Sequence, residues 1–138
     1  MRLIAAFILV LNTLALFSQR EEKLQVLNIE DGLSQSVVND ILIDSKGFLW
    51  VGTQDGLNRY DGYSFKVFKN NPDDKYSISS DYINAIAEDA NDNLWIGTRT
   101  GLNKYDSRKQ KFIHYGLPSN NIVFPEINVR SLLVDSEN

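Results

Sequence analysis

The hydrophobic positions between residues 37 and 69 fall into four short runs, separated by polar and glycine-containing turns. Residues 37–44 are rich in β-branched side chains, residues 48–53 and 57–60 are largely apolar, and residues 64–69 alternate between apolar and polar side chains. Short runs of this kind, bounded by turn residues, are typical of β-strands joined as hairpins. No window of about 11 residues has apolar positions at helical spacing. The pattern therefore predicts one antiparallel sheet of four strands.

The same pattern returns after a shift of 45 residues, which places Val37–Asp61 over Tyr82–Asp106. In this pairing, 12 of 25 positions are identical. A third copy begins at Ile127, where Val129 and Leu132 continue the pattern. A period of this length is typical of β-propeller blades or of helical arrays, and the strand-like local pattern favours the propeller.

The chain is predicted to be all-β, an incomplete β-propeller of about two four-stranded blades and the first strand of a third, preceded by an apolar signal-peptide helix. Propellers close with about 4–8 blades, so we expect the N-terminal piece of a longer protein. The predicted segments are a signal peptide at 1–19, a closing outer strand and lead-in at 24–36, blade 1 at 37–74, blade 2 at 75–121, and the start of a truncated blade 3 at 122–138.

The first residues of the chain have the character of an export signal. Arg2 supplies a positive start, and the apolar run Leu3–Phe17 is interrupted only by Asn12 and Thr13. A membrane-spanning helix needs roughly 20 apolar residues, so this run better fits a secretory signal peptide than a permanent anchor or a buried core helix. The sequence therefore predicts an exported, periplasmic chain, which is tethered to the membrane only through parts that follow it.

Composition and charge exclude several classes of function. Asp and Glu number 18 against 14 Lys and Arg, so no general basic field is present to bind nucleic acid. The chain has no cysteine and one histidine, His114, which excludes disulfides, thiol nucleophiles and multi-histidine metal sites. Asp89–Asn93 resembles the start of a calcium loop, but Leu94 and Thr100 occupy the positions of its glycine and its bidentate glutamate. We expect no metal and no cofactor, and we expect the aspartates to cap hairpin turns.

The repeated motif resembles the two-component regulator propeller repeat. It reads Leu-Trp-Val-Gly-Thr and then Gly-Leu-Asn-Arg-Tyr-Asp within residues 49–61, and again with conservative changes within residues 94–106. The lead-in at 31–35 resembles the start of the periplasmic sensor of hybrid two-component systems. The resemblance implies a longer parent with propellers, an immunoglobulin-like domain, one membrane span, a histidine kinase and a receiver. Such sensors generally recognise oligosaccharides, and this chain is itself expected not to be an enzyme.

Residues that recur in both blades are expected to form scaffold, because a ligand contacts each blade of a ring differently. The repeated scaffold positions are Trp50, Gly52, Gly56, Trp95, Gly97 and Gly101. We expect the tryptophans to fill the gap between blades. Ligand specificity is expected in non-repeating loop positions. The candidates, all on one predicted face, are Gln54, Asp55, Arg99, Thr100, Tyr76, Asp81, Tyr82 and Glu126.

Three functions are compatible with these features. The first is an oligosaccharide-sensing propeller of a two-component sensor, whose partners are the remaining blades, the glycan and a second sensor subunit in a homodimer. The second is a secreted propeller that holds partner proteins without a kinase, and the third is a glycan-active enzyme whose catalytic half lies elsewhere. Arg99 is suited to bind a uronate or a sulfate through its guanidinium, and Tyr76 or Tyr82 to stack on a sugar ring.

Overall fold

The structure, a computed structural model, describes residues 25–115 and 127–135. It consists of two separate four-stranded antiparallel sheets, each with its strands in sequence order. We call the sheets blade 1 and blade 2. Blade 1 contains β1 (Val38–Ile43), β2 (Leu49–Thr53), β3 (Gly56–Tyr60) and β4 (Phe65–Phe68), and blade 2 contains β5 (Ile83–Glu88), β6 (Leu94–Thr98), β7 (Gly101–Asp106) and β8 (Lys111–Tyr115). The predicted all-β fold and four-stranded blades are confirmed.

The two blades repeat one another down to their irregularities. The pairing of the first two strands shifts at the same place in each, between Val38 and Asp40 in blade 1 and between Ile83 and Ala85 in blade 2. The second and third strands are joined by a two-residue turn that ends at a glycine, Gly56 with φ of 134° or Gly101 with φ of 154°. A residue with a side chain rarely adopts such a φ, which explains why glycine recurs at this position.

The turn between the first two strands of each blade is built around an aspartate. In blade 1, Asp44 accepts hydrogen bonds from the backbone N–H groups of Lys46 and Phe48, and from the indole Nε1 of Trp50 at 2.8 Å. In blade 2, Asp89 accepts the same set of bonds, with Trp95 as the indole donor at 2.8 Å. The carboxylate thus caps the turn, as predicted from the sequence. It also holds the tryptophan side chain in place.

These bonds change the acidity of Asp89. Partial burial alone would raise the pKa of this carboxyl group, but the hydrogen bonds from Trp95, Asn93 and the backbone of Asn91 outweigh that effect. Together they lower the pKa of Asp89 from 3.8 to about 2. Because the group is more acidic in the folded chain than in the unfolded one, it stabilises the fold above the unfolded pKa, and this contribution is lost as the pH falls towards 2.

We therefore expect Asp89→Asn to weaken the acid sensitivity of the fold between about pH 4 and pH 2. The measurement is the thermal unfolding midpoint of the wild type and the variant at a series of pH values. The matched control is Asp92→Asn, which removes a charge from the same exposed turn without touching the bonds to Trp95. Equal acid sensitivity in Asp89→Asn and the wild type would contradict the expected role of this carboxylate.

A cluster of aromatic and aliphatic side chains holds the two blades together. β5 packs against β1 and β2, and Trp50, only 2% exposed, lies at the centre of the contact. Its ring stands edge-on to Tyr105 of blade 2, with centroids 5.3 Å apart. Gly52 also faces blade 2, since a Cβ there would lie 2.7 Å from Cγ2 of Ile83. The absence of a side chain at Gly52 thus lets β5, the first strand of blade 2, pack closely against β2.

A second repeated contact is polar and largely buried, with its asparagine and threonine fully buried and its serine partly exposed. Asn58 of blade 1 accepts a bond from the backbone N–H of Ser34 and donates to the Ser34 hydroxyl, which also bonds Thr53 at 2.9 Å. In blade 2 the side chains of Asn103, Ser79 and Thr98 make the same three contacts. A buried polar group is costly unless bonded, so this network fixes the lead-in segment of each blade onto its sheet.

The ends of the described residues lie outside the two sheets. Within the predicted closing strand, residues 25–28 belong to no strand, and Ile29–Asp31 form a short 3₁₀ helix. Residues 127–135 lie against blade 2 without forming a strand, although Val129 takes the place beside Gly97 that Ile83 takes beside Gly52. A strand requires a continuous ladder of backbone hydrogen bonds with a neighbour. The N–H of Val129 bonds the carbonyl of Thr98 at 3.0 Å, but no ladder extends from this bond in the described residues. The predicted signal peptide at 1–19 lies outside those residues, among which no helix has the length and apolar character to span a bilayer.

Candidate ligand-binding site

Most of the sequence-predicted ligand residues meet at one end of the two blades. The backbone N–H of Gly56, which ends the β2–β3 turn, bonds the carbonyl of Asp81 at 2.8 Å. In blade 2 the N–H of Arg99, in the β6–β7 turn, bonds the carbonyl of Tyr82 at 3.1 Å. The two turns and the end of the connector between blades therefore share one surface. We call it the turn face, and its members are Gln54, Asp55, Asp81, Tyr82, Arg99 and Thr100.

The acidic groups of the turn face are already engaged. Asp55 forms an ion pair with Lys69, with 2.8 Å between Oδ2 and Nζ. This hydrogen bond raises the pKa of the Lys69 ammonium group. The carboxylate of Asp81 accepts the backbone N–H of Asn70 at 2.6 Å. These bonds hold both ends of the connector against the turns, so the two carboxylates fix the shape of the turn face.

Arg99 and Tyr82 form the part of the turn face that is suited to a ligand. The guanidinium carbon of Arg99 lies 4.5 Å from the centroid of the Tyr82 ring, and the arginine side chain is exposed. The ring attracts the guanidinium charge, and the exposed arginine keeps N–H groups that can reach a ligand. The arrangement restrains the arginine before any ligand arrives, which lowers the entropy cost of binding an anion.

The remaining candidates divide into three cases. Thr100 donates its hydroxyl to the carbonyl of Ser79 at 2.9 Å and so serves the fold, whereas Gln54 is exposed on the turn face. Tyr76 lies away from Arg99, because its carbonyl accepts the backbone N–H of Phe112 in the outer strand β8. Glu126 lies outside the described residues.

Lys69 is a member of this site that was not predicted from the sequence. The residue ends the alternating run of the fourth strand, where it reads as an ordinary exposed cation. The feature of the sequence that could have identified it is its position directly before the connector, which ends at Asp81. Lys69 and Tyr76 also line a groove of about 230 Å³ beside β4 and β8.

His114 is half-buried, and its Nε2 lies 2.7 Å from the carbonyl oxygen of Ser77. This contact ties the outer strand of blade 2 to the connector. In the described part of the chain no three His, Cys, Asp or Glu residues are grouped as metal ligands are.

Comparisons with known proteins agree with this architecture. Residues 32–55 and 77–100 match the family described as the two-component regulator propeller. Histidine kinase P4 of Formosa agariphila is 63% identical over 49 residues, which are 36% of this chain and 4% of that protein. The chain thus spans only a small part of this curated relative.

Solved structures give the same result. The extracellular domain of a protein from B. thetaiotaomicron, described as a hybrid two-component system, has 31% sequence identity and a TM-score of 0.57 over 75% of this chain and 15% of its own. A second crystal structure of that domain, described as a one-component system, has 32% identity and a TM-score of 0.56 over 70% of this chain and 14% of its own. The two segments that match the two-component regulator propeller each run from the lead-in of a blade to its β2–β3 or β6–β7 turn, so the similarity recurs at the same place in both blades.

Proposed function

We propose that this chain is a ligand-sensing propeller segment of an exported two-component sensor. The observation that carries the proposal is the match of both blades to the two-component regulator propeller, together with the similarity to a histidine kinase and to an extracellular domain. Phosphotransfer would then belong to other parts of the sensor, and the role of this chain is to bind. The remaining blades would be its first partners.

The ligand we propose is an oligosaccharide that carries a carboxylate or a sulfate group. The contact between Arg99 and Tyr82 supports this proposal, since a guanidinium pairs with anionic oxygens and aromatic rings pack against the C–H faces of sugars. The turn face is formed by turns and connectors of two blades, where non-repeating residues can contact different parts of one ligand. The acids at Asp55 and Asp81 are bonded to Lys69 and Asn70, which reduces their repulsion of an anionic sugar.

For binding to become a signal, the ligand must prefer one arrangement of the sensor over another. We propose that the arrangement is that of a homodimer of the longer sensor. A ligand that bound both arrangements equally would shift nothing, however tightly it bound.

Arg99→Ala is expected to weaken binding of an anionic oligosaccharide about tenfold, which corresponds to roughly 1.4 kcal/mol for a lost charged contact. The measurement is isothermal titration calorimetry of the full sensor domain with tetragalacturonate and with a sulfated galactan tetramer. A neutral galactan tetramer tests whether the anionic group is the part recognised.

The matched control is Lys46→Ala, which removes an exposed cation from the opposite end of blade 1. It should leave the affinity unchanged. If Arg99→Ala binds both anionic probes as tightly as the wild type does, the proposed role of the turn face is wrong.

A further inference from the structure

The positive charges of this chain are unevenly distributed. Residues 65–76 and 107–115 contain six of its 14 Lys and Arg residues but only two of its 18 acidic residues, although the whole chain has a net charge of -4. These two ranges form the outer strands β4 and β8, with the turn and the connector beside them. We call their surface, at the outer end of the joint between the two blades, the outer wall. A basic surface on an acidic protein attracts polyanions.

Two cations of the outer wall are held against one aromatic ring. The ammonium nitrogen of Lys111 lies 3.9 Å from the centroid of the Tyr76 ring, and that of Lys75 lies 4.9 Å from it. Neither lysine makes an ion pair within the described part of the chain. The ring attracts both ammonium groups, which repel one another, and an anion between them would remove that repulsion. The pair is therefore arranged to receive an anionic group.

Backbone hydrogen bonds fix the position of this ring. The carbonyl of Tyr76 accepts the N–H of Phe112 in β8 at 2.8 Å, and the N–H of Tyr76 donates to Oδ1 of Asp74 at 2.9 Å. The next carbonyl, that of Ser77, lies 2.7 Å from Nε2 of His114. The connector is thus bonded along β8, so its backbone need not be ordered when a ligand binds. This lowers the entropy cost of binding.

The groove of about 230 Å³ between β4 and β8 lies beside the ring. Phe68 and Phe112 give it apolar surface, and Lys69 and Gln110 give it polar groups. Pockets that enclose a whole small ligand have volumes of roughly 300–1,000 Å³, so this groove has room for one unit of a longer chain. A sugar unit fits such a lining, because it has apolar C–H faces and polar edges.

The acidic groups near the groove do not cancel the charge of the lysines. Asp74 lines the groove, but its carboxylate accepts the N–H of Tyr76. Asp106, at the end of β7, pairs with Lys109 at 3.6 Å. The other acidic residue of the outer wall is Asp73, which is exposed on the connector. An excess of positive charge therefore remains for a ligand.

We propose that the outer wall is a second binding site, which takes a polyanionic polysaccharide that carries sulfate or carboxylate groups. One anionic group lies between Lys75 and Lys111, and one sugar unit lies in the groove beside Tyr76. A chain fits this surface better than a bilayer does, because the ring lies in a groove between two strands and is only 40% exposed. The site is separate from the contact of Arg99 with Tyr82 and does not depend on the ligand proposed there.

The test is isothermal titration calorimetry of the full sensor domain with dextran sulfate and with neutral dextran, which share one backbone. The wild type should bind dextran sulfate and not dextran. Lys75→Gln with Lys111→Gln removes both ammonium groups and keeps the length of the side chains, so it should weaken binding about tenfold. The matched control Lys46→Gln, which removes an exposed lysine from the opposite end of blade 1, should bind like the wild type.

Two variants of Tyr76 test whether the ring positions the lysines. Tyr76→Phe keeps the ring and should bind dextran sulfate like the wild type. Tyr76→Leu removes the ring and should weaken binding several-fold, with an unchanged circular dichroism spectrum. Equal affinity of Tyr76→Leu and Tyr76→Phe would contradict the role of the ring.

Arg99→Ala distinguishes the outer wall from the turn face. If dextran sulfate binding is lost in Arg99→Ala and kept in the double lysine variant, the polyanion binds the turn face, and the outer-wall proposal is wrong while the proposed function stands. If Arg99→Ala changes neither dextran sulfate nor tetragalacturonate binding and the lysine variant loses dextran sulfate, the outer wall stands and the turn-face site is wrong. A wild type that does not bind dextran sulfate, or that binds phosphatidylglycerol vesicles through these two lysines instead, would overturn the outer-wall proposal.

Discussion

Gly52→Ala is expected to destabilise the packing of blade 1 on blade 2 by about 2 kcal/mol, a large effect for a single added methyl group. A Cβ at Gly52 would lie 2.7 Å from Cγ2 and 3.1 Å from Cβ of Ile83, and 3.4 Å from Ile86. Ile83 is fully buried in a central part of the joint, so it cannot turn aside as an exposed side chain could. Urea unfolding followed by circular dichroism measures the loss.

Two comparisons isolate the cause of that loss. Gly97→Ala creates the same 2.7 Å contact, but with Val129, which lies in a segment without strand pairing that can move away. We expect a cost below about 1 kcal/mol there. Ile83→Ala removes the atom that clashes with the new Cβ, so Gly52→Ala with Ile83→Ala should cost less than the sum of the two single changes. Additive losses would mean that the clash is not the cause.

The regular part of this fold follows from the sequence because the signals are local. Alternation and turn residues fix a strand within a few positions, and the predicted run at 37–44 became β1 at Val38–Ile43. The 45-residue repeat then doubles the evidence, since an interpretation of one copy must also hold for the other. The aspartate-capped turn could be predicted for the same reason.

The irregular parts depend on contacts that the local pattern does not contain. Tyr76 lies in the connector and Tyr82 directly follows it, and the two look equivalent in sequence, yet Tyr76 lies beside β8 and Tyr82 under Arg99. The closing outer strand at 24–36 stays a prediction, because a strand forms only against a hydrogen-bonded neighbour and neither of the two sheets supplies one. Ser34 and Ser79 were missed although they keep the 45-residue spacing, since serine in a lead-in carries no chemical signal until its partners are known.

Trp50→Ala is expected to lower the free energy of unfolding by about 3–5 kcal/mol, and Trp95→Ala by about 1–2 kcal/mol. The two residues have the same place in the repeat and the same 2.8 Å bond to an aspartate. They differ in what lies against them. Trp50 is 2% exposed and contacts Tyr105 of the next blade, whereas Trp95 is half-buried beside an open cavity.

The comparison measures how much of the stability comes from blade-to-blade packing, since the contribution of the turn cancels between the two variants. Both should be studied by urea unfolding at the same protein concentration, because association would change the apparent stability. Trp50→Phe and Trp95→Phe are the controls: they keep an aromatic ring but remove the bond to the aspartate, so their losses should differ less than those of the alanine variants. Equal losses for the two alanine variants would show that the tryptophans act through their turns alone and would remove the aromatic joint as the main support of this fold.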